Sequence, residues 1–267
     1  MVFSILALSG FEAPAPLAQE ARRPAKFIGQ AITLSLFAIG TFYIFTSYAS
    51  SIGWGTGNMA AFASNPNPYY VLGHALWGAG WWFVVLAIVN SAVGVGLACT
   101  NSASRVMYTM GRAGTLPANF ARLHPAHRTP SFAIAFVQLS GFAAILLVGL
   151  SLNPETIFAF LETIATLAVI VLYVMANLAL TCYMRREQPA KFTIWQHVVI
   201  PCIATLALLP VLFVTVYPQP SWPYNTTPYL FLGALLVGVV YMQWGESRNP
   251  GALRRAALSI RNDDPQS

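Results

Sequence analysis

Charged residues are scarce in this chain, and acidic residues are the scarcer kind. Only 8% of the 267 residues are charged, and Asp and Glu together number eight. Soluble domains carry about 25% charged residues, so the composition excludes an ordinary soluble globular protein. Hydrophobic residues make up 57% of the chain and the mean hydropathy is +0.61, which indicates a polytopic membrane protein.

Cysteine is also rare, and no catalytic or nucleotide-binding motif is evident. The three cysteines, Cys99, Cys182 and Cys202, are odd in number and lie in or beside apolar segments. We therefore expect neither a disulfide nor a metal site. The sequence lacks a phosphate-binding Gly-Lys-Ser/Thr loop and a Gly-x-Ser-x-Gly or His-Glu-x-x-His motif. We expect no ATP-driven transport by this chain, no cofactor and no enzymatic activity.

The basic residues follow a pattern along the chain. All fourteen fall into clusters separated by apolar stretches, and every second connection carries none. A polytopic membrane protein keeps Lys and Arg on its cytoplasmic side. This pattern accounts for the net charge of +6 without a nucleic-acid partner. The clusters are Arg22, Arg23 and Lys26; Arg105, Arg112, Arg122 and Arg128; Arg185, Arg186 and Lys191; and Arg248, Arg254, Arg255 and Arg261.

The apolar stretches predict an all-α membrane protein with about seven transmembrane helices. A spanning helix needs about 20 mostly apolar residues, and the predicted spans are residues 2–18, 29–52, 77–108, 131–150, 155–183, 194–217 and 228–244. Together they form a transmembrane domain over residues 1–244, followed by a cytoplasmic tail over 245–267. The charge pattern places the C-terminus in the cytoplasm, and we expect the spans to lie in the plasma membrane.

The first predicted span is interrupted, and it carries an acidic residue. Glu12 follows Ser9, Gly10 and Phe11 and precedes Pro14. Glycine and proline disrupt helical hydrogen bonding, and free backbone groups at membrane depth are tolerated only against protein or a wet cavity. Many transporters build substrate and ion sites from such broken helices. The alternative is a proline-kinked helix with Glu12 near the membrane interface.

Two further spans carry polar residues on one helical face. In the fifth span these residues recur at helical spacing, so the face turns toward protein or water and either lines a pathway or only packs. Glu155 at its start suits the positive end of the helix dipole, whereas Glu162 lies deeper. The stripe in the third span favours helix packing. The residues are Glu155, Glu162, Thr166, Tyr173 and Asn177 in the fifth span and Asn90, Gly94, Ala98, Asn101 and Arg105 in the third.

Two stretches of the sequence resemble the amino acid–polyamine–organocation superfamily of permeases. Residues 9–12 (Ser-Gly-Phe-Glu) followed by residues 19–24 (Gln-Glu-Ala-Arg-Arg-Pro) are similar to the sixth helix of that family and its inner end. Residues 101–105 (Asn-Ser-Ala-Ser-Arg), 111–117 (Gly-Arg-Ala-Gly-Thr-Leu-Pro) and 129–130 (Thr-Pro) are similar to the end of its eighth helix and the next loop. The remaining spans fit helices nine to twelve.

The resemblance implies a LeuT-type fold, of which this chain supplies the second inverted repeat and two peripheral helices. It implies that Ser9, Gly10, Phe11 and Glu12 face the substrate at the unwound sixth helix. It also implies that Cys99 and Thr100 face the central cavity from the eighth helix. Glu162 and Thr166 are implied to line the pathway or its outer gate on the tenth.

The resemblance further implies that helices one to five are missing, so the chain is expected to be the C-terminal portion of a longer permease. The implied function is secondary active transport of an amino acid or related amine, coupled to H⁺ or Na⁺. The alternative is a non-transporting membrane subunit or substrate sensor derived from a permease. The sequence does not distinguish a truncation from a split gene.

Overall fold

The structure is a computed structural model that describes residues 10–11, 24–217, 221–248 and 251. The regular structure within these ranges is helical, with no β-strand. The chain divides into two compact units, one with its described residues between 10 and 139 and the other between 140 and 251.

Eight α-helices lie in the described ranges, joined by short 3₁₀ turns and one π-helical turn. The 3₁₀ turns follow the first, third, fourth and sixth helices and precede the last, and the π-helical turn covers Trp195–Val199. The α-helices are α1 (Pro24–Trp54), α2 (Met59–Ser64), α3 (Pro68–Trp77), α4 (Trp82–Arg112), α5 (Ser131–Gly149), α6 (Pro154–Glu187), α7 (Ile200–Val216) and α8 (Thr227–Arg248).

The described part of the chain contains six helical segments long and apolar enough to cross a membrane. They correspond to the second to seventh predicted spans, and the prediction of an all-α membrane protein is confirmed. The first predicted span, residues 2–18, lies outside the described residues except for Gly10 and Phe11. The segments are Phe27–Trp54, Pro68–Arg112, Ser131–Gly149, Pro154–Glu187, Trp195–Val216 and Tyr224–Ser247.

The third of the predicted spans differs most from the observed helices. The sequence Asn-Pro-Asn-Pro at residues 65–68 predicts a loop, but Pro68 occupies the first turn of α3. Proline is accepted there because its missing N–H has no partner in a first turn anyway. The helical path then breaks at Gly78–Trp81, where Gly78 has a φ of +50° that favours glycine.

Aromatic rings connect the short helices of the first unit. The Phe62 ring packs edge-on against Trp54 at 5.3 Å and against Tyr69 at 5.9 Å between centroids. Such edge-to-face pairs stabilise beyond their buried area. Close approach of α3 to α4 depends on Gly73, since a Cβ there would lie 2.6 Å from Val84 Cγ2. The α2–α3 segment is therefore a folded connection between two long helices.

Helix α6 organises the second unit. It begins with Asn153 as N-cap, whose Oδ1 accepts a hydrogen bond from the Thr156 N–H at 2.9 Å. Pro154 in the first turn and Glu155 beside it complete a favourable helix start. The helix packs against both α7 and α8, and its Leu167 and Ile170 are almost fully buried. The buried residues of this unit thus include a cluster on α6 and others on α7.

Candidate functional site

The only described part of the predicted substrate segment is a turn. Gly10 and Phe11 are not helical, and Gly10 has a φ of +102°, a backbone conformation that residues with side chains rarely adopt. Ser9 and Glu12 lie outside the described residues, so their predicted roles stay predictions.

The predicted cavity residues on α4 differ in their surroundings. Cys99 is a free, exposed thiol. Thr100 is half-buried, and its hydroxyl donates to the Gly96 carbonyl at 2.7 Å and accepts from Gln138 Nε2 at 2.9 Å. Because a hydroxyl has one proton to donate, Thr100 has no second proton for a substrate in this arrangement. The structure gives Thr100 a role in joining α4 to α5.

Gln138 is a residue that the sequence reading missed. Its side-chain amide is the only one in α5, which is otherwise apolar apart from hydroxyl groups. A lone amide in a membrane helix is a signal for a hydrogen bond between helices. The signal marks the residue, but the sequence does not show that its partner is Thr100, 38 residues earlier.

The predicted polar stripe of α4 lies on an uncovered helix. None of residues 82–99 is buried against the rest of the described chain, and Asn90 and Gly94 in the stripe are exposed. Farther along, Arg105 Nε donates to Asn101 Oδ1 at 2.9 Å. An amide such as Asn90 is costly to place against lipid, so this face is suited to contact with further protein or water.

Glu162 borders an apolar groove between α5 and α6. The groove has a volume of about 550 Å³. Among the described residues the buried Oε2 atom of Glu162 has no hydrogen-bond partner. A carboxylate oxygen with no donor at membrane depth is a candidate for function. The groove is lined by Ile145, Pro154, Ile157, Phe158, Leu161, Glu162 and Ala165.

Thr166, the other predicted pathway residue, is fully buried. Its side chain is 0% exposed and its hydroxyl donates to the Glu162 carbonyl at 2.9 Å, one turn earlier. In this structure Thr166 packs inside the second unit and does not border the groove. Glu155, at the start of the same predicted stripe, is exposed. The stripe therefore divides into residues with different surroundings.

The inner part of the stripe forms a hydrogen-bond network with α7 and the π-helical turn before it. Asn177 Nδ2 donates to Thr205 Oγ1 at 3.1 Å and to the Pro201 carbonyl at 3.4 Å. Thr181 Oγ1 lies 2.6 Å from the His197 carbonyl oxygen and 3.1 Å from the Asn177 carbonyl oxygen, and because a hydroxyl has one proton to donate, the shorter distance favours His197 as the acceptor. In a regular α-helix the residue four positions later would donate to that carbonyl, but here it is Pro201, which has no N–H. The Thr181 hydroxyl replaces the missing donor, so this part of the stripe serves packing.

The fold and these contacts define a multi-pass, all-α membrane protein with polar side chains set between its helices. Residues 1–249 match the family described as amino acid permease. The chain therefore belongs to the amino acid permease family, as the resemblance predicted.

Three curated relatives illustrate the family. The chain is 31% identical over 247 residues to the branched-chain amino acid permease BcaP of Bacillus subtilis, covering 90% of this chain and 49% of the relative. It is 30% identical to the glutamate/serine transporter AimA of the same organism, over 54% of this chain and 27% of AimA. The low-affinity putrescine importer PlaP of Escherichia coli K12 is 31% identical, over 51% of this chain and 30% of PlaP.

The chain spans about half the length of BcaP, and its matches cover less of the other two relatives. No solved structure gives a significant match.

Proposed function

We propose that this chain forms the C-terminal portion of a secondary transporter for an amino acid or a related amine in the plasma membrane. The observation that carries the proposal is the match to the amino acid permease family over residues 1–249. Relatives whose names specify amino acids or putrescine support this substrate class. The C-terminus lies in the cytoplasm, because every Lys and Arg falls at the inner end of a predicted span, in a connection predicted on that side or in the tail.

The proposal assigns a role to three parts of the chain. The turn at Gly10 and Phe11 belongs to an interrupted helix whose free backbone groups, together with Ser9 and Glu12, contact the substrate. The exposed polar face of α4, with Cys99 beside it, borders the cavity or the helices that complete the transporter. Glu162, with a carboxylate oxygen open to a donor, lies in the outer part of the pathway, and Thr166 supports its helix.

The remaining helices of the transporter are proposed to come from outside this chain. Alternating access in such folds arises when one helical repeat moves against another around a central site. The chain spans about half the length of BcaP, and none of residues 82–99 of α4 is buried in the described structure. A complementary group of helices, corresponding to helices one to five of the family, would cover this surface.

Uptake by proteoliposomes tests the proposal. Liposomes containing the chain alone are expected to show no saturable uptake of branched-chain amino acids, serine or putrescine. The chain joined behind the N-terminal half of BcaP is expected to take up at least one of them, with intact BcaP as the positive control. Saturable uptake by the chain alone would contradict the need for further helices. A folded but inactive joined protein would favour the non-transporting subunit or sensor.

Glu12 provides a test of ion coupling in the active joined protein. If its carboxyl carries the coupling proton, Glu12→Gln should abolish the dependence of uptake on a proton gradient while leaving substrate exchange measurable. The matched control is Glu20→Gln, which removes a carboxylate from the predicted cytoplasmic end of the same segment. Unchanged uptake by Glu12→Gln between about pH 5 and 8 would exclude the proton role.

A further inference from the structure

The connection between α4 and α5, residues 113–130, concentrates positive charge in a part of the sequence without acidic residues. No Asp or Glu occurs between residues 21 and 154. The same stretch contains Arg112, Arg122 and Arg128 in or beside the connection. Arg122 and Arg128 therefore have no acidic residue near them in sequence, unlike Arg185 and Arg186, which Glu187 follows directly.

The connection is folded, and its middle is anchored to α4 and α5. The Phe120 side chain is only 8% exposed, and its ring lies 4.9 Å from the Phe132 ring and 5.3 Å from the Phe136 ring. Gly111 allows the chain to pass close to α4, since a Cβ there would lie 2.8 Å from the Ala121 nitrogen. The motif over residues 111–117 thus serves to fix the connection against the two helices.

The tip of the connection is closed by its own hydrogen bonds. The His124 N–H donates to the Thr129 carbonyl at 2.8 Å, and the Arg128 N–H donates to the His124 carbonyl at 2.9 Å. The His124 ring stacks on the His127 ring at 5.0 Å. Arg128 has a φ of +51°, in the left-handed region. The tip therefore has a defined backbone, with Arg128 held in one backbone conformation.

The charged side chains of this fixed connection are exposed. Arg122 and Arg128 are both exposed on the described structure, while Phe120 beside them is buried. A charged group on an ordered backbone loses less conformational entropy when it binds a ligand than one on a disordered tail. Guanidinium groups form paired hydrogen bonds with phosphate oxygens. The connection thus offers preorganised donors for a phosphate group.

We propose that this connection binds the phosphate of anionic phospholipids in the inner leaflet of the membrane. It joins the ends of two membrane-spanning helices, so its exposed arginines lie at headgroup level. The negative surface potential of a bilayer attracts basic residues within a Debye length of its surface. Free inorganic phosphate offers the same oxygens but is not held at that surface. The anionic lipid is therefore the favoured ligand.

The test compares two pairs of arginines in the purified full chain. Arg122→Gln with Arg128→Asn removes two charges from the connection, and Asn is chosen because it tolerates the left-handed conformation. Arg185→Gln with Arg186→Gln removes two charges from the end of α6 as the matched control. Arg122→Lys with Arg128→Lys keeps the charge and reports whether the connection tolerates substitution. Bound phosphatidylglycerol is counted by native mass spectrometry and its affinity measured by titration.

The variant with Arg122→Gln and Arg128→Asn should bind phosphatidylglycerol about thirtyfold more weakly than the unmodified chain, because each basic residue near the surface contributes about a fivefold factor and two are removed. The variant of Arg185 and Arg186 should stay within about threefold, because Glu187 beside them offsets part of their positive charge at the membrane surface. The Lys variant keeps both charges and should also stay within about threefold. Phosphatidylcholine should not replace phosphatidylglycerol, and inorganic phosphate should not displace it. Equal losses in the Arg185 and Arg186 variant, equal binding of phosphatidylcholine, or displacement by phosphate would overturn the proposal. None of these readouts depends on transport.

Discussion

The Thr181 hydroxyl is expected to stabilise the chain because Pro201 removes the donor that a regular α-helix would supply to the His197 carbonyl. The hydroxyl donates to this carbonyl at 2.6 Å from the neighbouring helix. Thr181→Val removes the donor and keeps the shape of the side chain. The carbonyl then loses its donor from the neighbouring helix in a membrane-spanning segment, where water is scarce.

The expected cost of Thr181→Val is about 1–2 kcal/mol in the free energy of unfolding. Hydrogen bonds between membrane helices contribute about 0.6 kcal/mol on average and up to about 1.7 kcal/mol. A buried carbonyl left without a partner falls at the upper end of that range. The matched control is Thr163→Val on the same helix, because the Thr163 hydroxyl donates only to the Ala159 carbonyl one turn earlier, at 2.7 Å. The control should cost less than about 0.5 kcal/mol.

A double-mutant cycle with Pro201→Ala isolates the cause. Alanine restores an N–H four residues after His197, so the carbonyl gains a helical donor. In the Pro201→Ala background, Thr181→Val should cost no more than about 0.5 kcal/mol, giving a coupling energy of about 1 kcal/mol. The free energy of unfolding is measured on the purified chain in mixed micelles by titration with a denaturing detergent and far-UV circular dichroism. Equal costs of Thr181→Val in both backgrounds would refute the argument.

Three other predictions concern stability and use the same assay. Gly111→Ala should destabilise the chain by about 1–2 kcal/mol, because the added Cβ would lie 2.9 Å from Phe120 Cβ. Gly96→Ala, the control, should be neutral or stabilising, because its added Cβ would have no atom within 4 Å. Equal effects of the two substitutions would contradict the close packing at Gly111. Thr100→Val and Gln138→Leu should each lower the free energy of unfolding by about 1 kcal/mol. The double variant should lose little more than either single variant, because both substitutions remove the same hydrogen bond between Gln138 and Thr100. Additive losses would show that this bond contributes nothing. Glu162→Gln should raise the free energy of unfolding by about 1 kcal/mol, because a neutral amide needs less solvation than a carboxylate oxygen with no partner among the described residues. Glu155→Gln, the control, should lower the free energy of unfolding slightly because it removes a favourable contact with the helix dipole. A loss of stability in Glu162→Gln would indicate a partner for the carboxylate.

Hydropathy was sufficient to predict the six membrane-length helices of the described residues. Six long apolar segments correspond to helices, and Asn153 with Pro154 marks the start of α6 as capping rules predict. Local rules were misleading at Pro68, which can either end a loop or begin a helix, and only the fold of α3 decides between them. The break at Gly78–Trp81 was also missed, because the stretch is apolar enough to read as continuous.

The contacts between helices could not be predicted from the sequence. The pairs Thr100 with Gln138 and Thr181 with His197 depend on which helix faces lie together, and hydropathy does not fix those faces. Thr166 and Glu162 share a predicted stripe, yet one is fully buried and the other borders a groove. The proposed substrate contacts of Ser9 and Glu12 rest on the sequence, because both residues lie outside the described ranges. The described residue beside Ser9 is Gly10, which lies in a turn.

The central claim is that the chain threads the plasma membrane with its basic connections inside, as part of a permease. Labelling of single engineered cysteines in intact cells tests it most directly, after replacement of the free cysteines Cys99, Cys182 and Cys202. A membrane-impermeant maleimide should label Asn65→Cys and Trp222→Cys in intact cells, and should label Arg128→Cys only after the membrane is permeabilised. Labelling of Arg128→Cys in intact cells, with Asn65→Cys and Trp222→Cys protected, would contradict the account.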